Sequence, residues 1–188
     1  RVKNSLQIVA SILNIQTRQC SDPATQKILQ ENVARVLSIA AIHDILTQKG
    51  SNFDQIDSIE LLEKLRQSLQ FFIPNGKYIL ISVSGDSKML DADVASSISL
   101  VVNELITNAL KHAFVGRDEG TVQVSFRSGS LFDTVTVADN GSGFDLSKAR
   151  EGSLGMRLVD SIVRDKLHGK LKVYSDSTGS KIYFDFKT

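Results

Sequence analysis

Val137-Ala138-Asp139-Asn140-Gly141-Ser142-Gly143 is the stretch on which the reading of this chain turns. It closes an alternating run, 131–138, that reads as a strand. An acid at a strand end, followed by glycines, can accept from an exocyclic amine while the backbone comes close to a ligand. Alone, Asp-x-Gly-x-Gly usually reads as a turn. Two other stretches, in a fixed order around it, change its weight.

Upstream stands Asn103-Glu104-Leu105-Ile106-Thr107-Asn108-Ala109-Leu110-Lys111-His112, inside a long apolar-periodic helix that starts at Leu90-Asp91. Glu104, Asn108 and Lys111 are spaced i, i+4, i+7 and share one helical face. That face offers a carboxylate, an amide oxygen and an ammonium. Hard oxygen donors suit Mg²⁺, and the cation suits phosphate. Downstream stands Gly152-Ser153-Leu154-Gly155-Met156-Arg157, a flexible segment feeding a helix N-terminus, where free N–H groups bind phosphate. The arrangement is neither a Walker loop nor G-x-G-x-x-G.

Outward from these stretches the pattern is mixed. Pro74-Asn75-Gly76 reads as a turn, and 77–85 as a strand through Tyr78 and Leu80 or through Ile79 and Ile81. Segments 121–128 and 131–138 pair as a hairpin across Gly129-Ser130, and 170–175 with 181–186 across Thr178-Gly179. A helix over about 154–167 ends at His168-Gly169, a glycine stop. The second half is therefore α+β, a mixed sheet with helices on one side.

The first half is different. Residues 1–73 hold one of the 12 glycines and read as helix. Val2, Leu6, Val9 and Leu13 recur at helical spacing to about Gln19, with no capping residue ahead of them, so Arg1 reads as the interior of a longer helix. Ser21-Asp22-Pro23 starts a second helix to about Gln48, with Ile28, Val33, Val36, Ala40 and His43 near one face. Two long helices with a short link make an antiparallel hairpin. Pairing with a second copy would complete a four-helix bundle. Asp57-Ser58-Ile59-Glu60 caps a short helix to about Phe72. The expected divisions are 1–50, a dimerisation hairpin; 51–73, a connecting helix; and 74–188, a ligand-binding domain.

Composition excludes several classes. Of 188 residues, 41% are hydrophobic and 23% charged, too apolar for disorder. Lys plus Arg is 22 against 21 for Asp plus Glu, which gives no electrostatic case for nucleic acid or a polybasic membrane surface. One cysteine, Cys20, forms no intrachain disulfide and reads as a packing residue. No run approaches a membrane span and no signal peptide opens the chain, so a cytoplasmic location is expected, with any membrane segment outside this chain.

Taken together, the second half resembles the Bergerat-type ATP-binding domain of histidine kinases, gyrase-type topoisomerases, heat-shock-90 chaperones and mismatch-repair ATPases. Residues 103–113 resemble its N box, 139–143 its first glycine box, 152–155 its second, and Gly179-Ser180 its Gly-Thr element. The second glycine box carries Ser153 where glycine is common. The resemblance implies ATP with Mg²⁺ as ligands. It implies that Asn108 ligates Mg²⁺, that Glu104 acts as a base or polarises the acceptor, and that Lys111 and His112 contact phosphate. Asp139 would receive the adenine amine with Ser180 supporting it through water, while Gly141, Gly143 and Gly155 shape pocket and lid.

The first half resembles the HWE-like sensor histidine kinases, whose phosphoacceptor helix reads His-Arg-Val-Lys-Asn; here Arg1-Val2-Lys3-Asn4 follows that pattern. Ala41-Ile42-His43-Asp44 resembles the second helix of that subgroup. The resemblance implies a homodimer that autophosphorylates on histidine and passes the group to a response-regulator aspartate. It places the acceptor histidine immediately before Arg1. His43, in His-acid-x-x-Thr spacing, is the fallback acceptor, and Asn4 a candidate phosphatase residue. A phosphotransfer adaptor with an inactive ATPase-like domain, or an anti-sigma-type serine kinase, is the alternative.

Overall fold

The computed structural model describes residues 2–26, 28–30, 32–33, 36, 40, 55–145 and 154–187. Two compact units divide between Asn52 and Phe53. In the first, helix α1 spans Val2–Gln19. Asp22 then caps a helical turn beginning at Pro23: its Oδ2 accepts from the Thr25 N–H at 2.9 Å, the bond an N-cap side chain makes to the third helical residue. The predicted continuation to Gln48, with His43, lies outside the described residues.

The second unit is a five-stranded sheet with helices on one face. Its elements are β1 (Gln55–Asp57), α2 (Ser58–Leu69), β2 (Tyr78–Gly85), β3 (Met89–Asp91), α3 (Ala92–Asn108), β4 (Glu119–Arg127), β5 (Asp133–Asp139), α4 (Leu154–Ser161), β6 (Lys170–Asp176) and β7 (Gly179–Phe186). The sheet order is β2-β4-β5-β7-β6. Only β2 and β4 run parallel, joined by a crossover that contains α3; the other neighbours are antiparallel. Short β1 and β3 pair separately, a ladder that three-residue segments do not signal by periodicity.

Register explains the core. Val83, Val124, Val137, Ile182 and Val173 stand side by side across all five strands, and Gly85, Phe126, Val135, Phe184 and Leu171 form the next row but one. These rows face α2, α3 and α4, which pack on one another or on the sheet through Leu61, Leu65, Ile98, Val102, Leu105 and Val159. The β2 alternation resolves with Ile79 and Ile81 inward and Tyr78 and Leu80 exposed.

Asp57 caps α2 by accepting from the Ile59 and Glu60 N–H groups at 2.9 and 3.0 Å. At that same end of the sheet Asp133, 1% exposed, meets Lys88 Nζ at 2.7 Å and accepts from Ser128 Oγ and the Gly129 N–H, both at 3.2 Å. Asp86 Oδ2 accepts from the Ser128 N–H at 2.9 Å. Ser58 Oγ, at the start of α2, donates to the Asp86 carbonyl at 2.9 Å and accepts from the Lys88 N–H at 3.1 Å, so that 86–88 tie the α2 entry to the β4–β5 hairpin. One sequence expectation needs correction. The helix ending at 168–169 is stopped by His168, which takes φ 50°, not by a glycine in the left-handed region. Histidine is among the side chains that tolerate this conformation, and the Gly169 N–H returns to the Val163 carbonyl at 2.8 Å.

Candidate functional site

The sheet has one row that breaks the apolar pattern. Ile81 and Val122 begin it on β2 and β4, but Asp139, Ser180 and Ser175 continue it on β5, β7 and β6. Burying an aliphatic side chain at such a place contributes about 1.5–3 kcal/mol. Three adjacent polar side chains forgo that gain, which argues for a binding role. Asp139 is the last residue of β5, and its Oδ1 accepts from the Gly141 N–H at 2.9 Å. Ser180 is 7% exposed and its Oγ lies 3.3 Å from Ser175 Oγ.

The loop after Asp139 is stapled to the end of α3. There the helix widens into a π turn over Ala109–Ala113, a feature that often marks functional sites. The Ala113 carbonyl accepts from the Ser142 N–H at 2.9 Å. Gly141 lies so close to Ala113 that a Cβ would collide with its backbone. Gly143 holds φ +63° against the Asp176 carbonyl, where a side chain would be both strained and blocked. Asn140 anchors the loop from the other side: its Oδ1 accepts from the Thr121 N–H, and its carbonyl accepts from Arg117, both at 2.8 Å.

The predicted residues fall as follows. Glu104 is 6% exposed within α3, and Asn108, its last residue, is half-buried one turn on. Lys111 and His112 are exposed on the π turn. The wider turn rotates both relative to the face that Glu104 and Asn108 share. Gly155 is buried in the first turn of α4, and α4 packs on α3. The staple therefore brings 139–143 to 108–113, and register brings Asp139 to Ser180. Asn4 lies in α1, in the first unit; Gly152, Ser153 and His43 lie outside the described residues. Sequence reading missed Ser175 and Asn140. Ser175 was legible as the residue that follows Leu171 and Val173 on the core-facing alternation of β6.

Residues 1–72 match the family model described as histidine kinase, and residues 80–182 the one described as histidine kinase-like ATPase domain. The chain belongs to the histidine kinases. It therefore joins a histidine kinase segment to a histidine kinase-like ATPase domain. Relatives agree: the sensor histidine kinase PdtaS of Mycobacterium tuberculosis is 35% identical over 91% of this chain. The blue-light-activated histidine kinase 2 of Erythrobacter litoralis is 31% identical over 98%. The chain spans 34% and 54% of those two proteins. The solved histidine kinase domain of the Erythrobacter litoralis EL346 kinase shares the fold, at TM-score 0.70, 23% identity and coverage of 96% of this chain and 95% of that one.

The donor set also bears on Mg²⁺. Among the described residues no cluster of three or more His, Cys, Asp or Glu could cage a metal. Mg²⁺ suits such a place, because it is ordinarily held by one or two protein oxygens plus substrate phosphates. The half-buried Asn108 amide beside Glu104 fits that role. Among the described residues no helix is long and apolar enough to cross a membrane.

Proposed function

We propose that this chain is the kinase core of a two-component sensor of the HWE-like subgroup, binding ATP in the second unit and transferring its γ-phosphoryl group to a histidine. The observation that carries the reading is the polar end of the sheet row, Asp139 beside Ser180, joined by the Ala113 staple to the helix that bears Asn108. Asp139 Oδ1 is held by Gly141, which leaves Oδ2 to receive the adenine amine. Asn108 would hold Mg²⁺, which would supply charge neutralisation at the phosphates. Lys111 and His112, exposed on the π turn, reach phosphate oxygens. Gly141, Gly143 and Gly155 let the backbone close around the nucleotide.

Phosphoryl transfer depends on positioning and charge more than on covalent help. The bond from the γ-phosphorus to the ADP oxygen breaks as a bond to an imidazole nitrogen forms, and Glu104 receives or orients the imidazole proton. The group then passes to an aspartate of a response-regulator receiver. The first unit supports a homodimer. Ile8, Ile12 and Ile15, spaced i, i+4, i+7 on α1, are 60%, 52% and 56% exposed, an apolar stripe that a second copy's hairpin would cover in a four-helix bundle. By the resemblance to the His-Arg-Val-Lys-Asn pattern, the acceptor is the histidine of that pattern and Asn4 the residue that orients a water for dephosphorylation.

The test is intact mass after incubation with ATP and Mg²⁺, comparing this chain with one extended upstream through that histidine. Only the extended chain should gain an acid-labile phosphoryl group, and Asn108→Asp should abolish the gain together with Mg²⁺-dependent ATP binding. Equal gain by the short chain would move the acceptor to His43. An acid-stable product would mark a serine kinase, and no gain with no nucleotide binding would mark an inactive adaptor.

A further inference from the structure

The polar row has a third member that the nucleotide reading leaves unused. Ser175 stands opposite Ser180, which stands opposite Asp139. Its Oγ accepts from the Phe144 N–H at 2.7 Å and lies 3.3 Å from Ser180 Oγ. Gly143, just before Phe144, holds φ +63°, and a side chain there would collide with the Asp176 carbonyl and Ser175 Oγ, so only glycine lets the turn present this donor. One hydroxyl thus touches both the start of the segment that leaves the glycine turn and the serine beside the base-reading carboxylate.

A serine hydroxyl has one proton and two lone pairs. The Phe144 N–H occupies one lone pair of Ser175. When the Ser175 proton goes to Ser180 Oγ, the Ser180 proton is released to point along the row toward Asp139 and a bound base. We propose that Ser175 is a positioning residue for the purine, setting the Ser180 hydroxyl and tying its orientation to the Gly143-Phe144 turn. This rests on the ATP reading above and deepens it, adding a residue outside the glycine boxes to base recognition.

The experiment binds ATP and purine riboside triphosphate, which lacks the exocyclic amine, to the whole chain by calorimetry. The parent should prefer ATP. Ser175→Ala should weaken ATP binding roughly fivefold, the size of one neutral hydrogen bond, and should weaken the analogue less, so that the preference shrinks. Ser175→Thr should restore the preference, and Ser175→Cys, which keeps the volume but donates poorly, should not. In a Ser180→Ala background Ser175→Ala should add nothing.

Equal weakening of both ligands by Ser175→Ala would overturn the inference in favour of a packing role, as would full effect in the Ser180→Ala background. Should Ser175→Thr lose its cooperative melt, the Ser180→Ala cycle decides. A parent that discriminates while Ser175→Ala keeps the parental ratio sinks this inference alone. A parent that binds both triphosphates equally sinks the base assignment and this inference with it.

Discussion

Strand β5 carries a carboxylate at each end, and the two are treated in opposite ways. Asp133 is the first residue and Asp139 the last, about 20 Å apart at strand rise. Asp133 is sealed from water and met by an ammonium, a hydroxyl and a backbone N–H. Asp139 is half-buried, and among the described residues only the Gly141 N–H is found donating to it. A buried charge is tolerated when the protein itself supplies every partner. The first carboxylate is thus spent on holding the sheet to the α2 entry. Under the proposed reading, the second keeps an oxygen for the nucleotide.

The largest effect expected from that contrast is on stability. Asp133→Ala removes the buried carboxylate that meets Lys88 and accepts from two further donors, and should destabilise the second unit by about 3 kcal/mol, read from the urea midpoint. ATP affinity of the folded fraction should stay at the parental value, and a parallel loss would break the contrast. Next comes Asp139→Ala, which should weaken ATP binding tenfold or more, the roughly 1.5–3 kcal/mol of a hydrogen bond to a charged group. Its urea midpoint should stay near the parent's; a collapse there would make Asp139 a second structural carboxylate.

The smallest effect concerns a third carboxylate, Asp176 in the β6–β7 turn. The Thr178 hydroxyl, and then the Thr178 N–H, hold it below the ordinary carboxylate range. A carboxyl depressed in the folded state contributes stability that is present above its unfolded pKa and lost as pH falls through the folded value. Thr178→Ala should move the Asp176 titration upward in NMR and leave ATP affinity at neutral pH unchanged. A change in affinity would show that the turn belongs to the base pocket.

Much of this arrangement was readable before any coordinates. The alternation of 131–138, the acid that closes it and the tight glycine turn at 141 and 143 were readable from residue type and spacing. The helical face shared by Glu104 and Asn108 was readable for the same reason. What was not readable depends on contacts between distant segments. The π turn at Ala109–Ala113 has no compositional mark; it goes with the Ala113 carbonyl meeting Ser142, 29 residues on. The inward choice of Ile79 over Leu80 follows from the β2–β4 register, since both alternations are apolar. Asp133 and Lys88 are unremarkable until strand pairing brings them together. Ser175 could have been found by asking which core-facing position of each strand is polar.

Under the proposed nucleotide reading, the polar row also ties the protein's persistence to its nucleotide supply. A base lying against Asp139 and Ser180 is gripped by parts that exist together only when β5, β7 and α3 are assembled. A ligand that binds only the folded chain adds RT ln(1 + [L]/Kd), about 2.7 kcal/mol when free ligand is one hundred times Kd. Under the proposed activity, ATP is then both phosphoryl donor and folding ligand, and depletion of the pool would cost the unit stability as well as substrate.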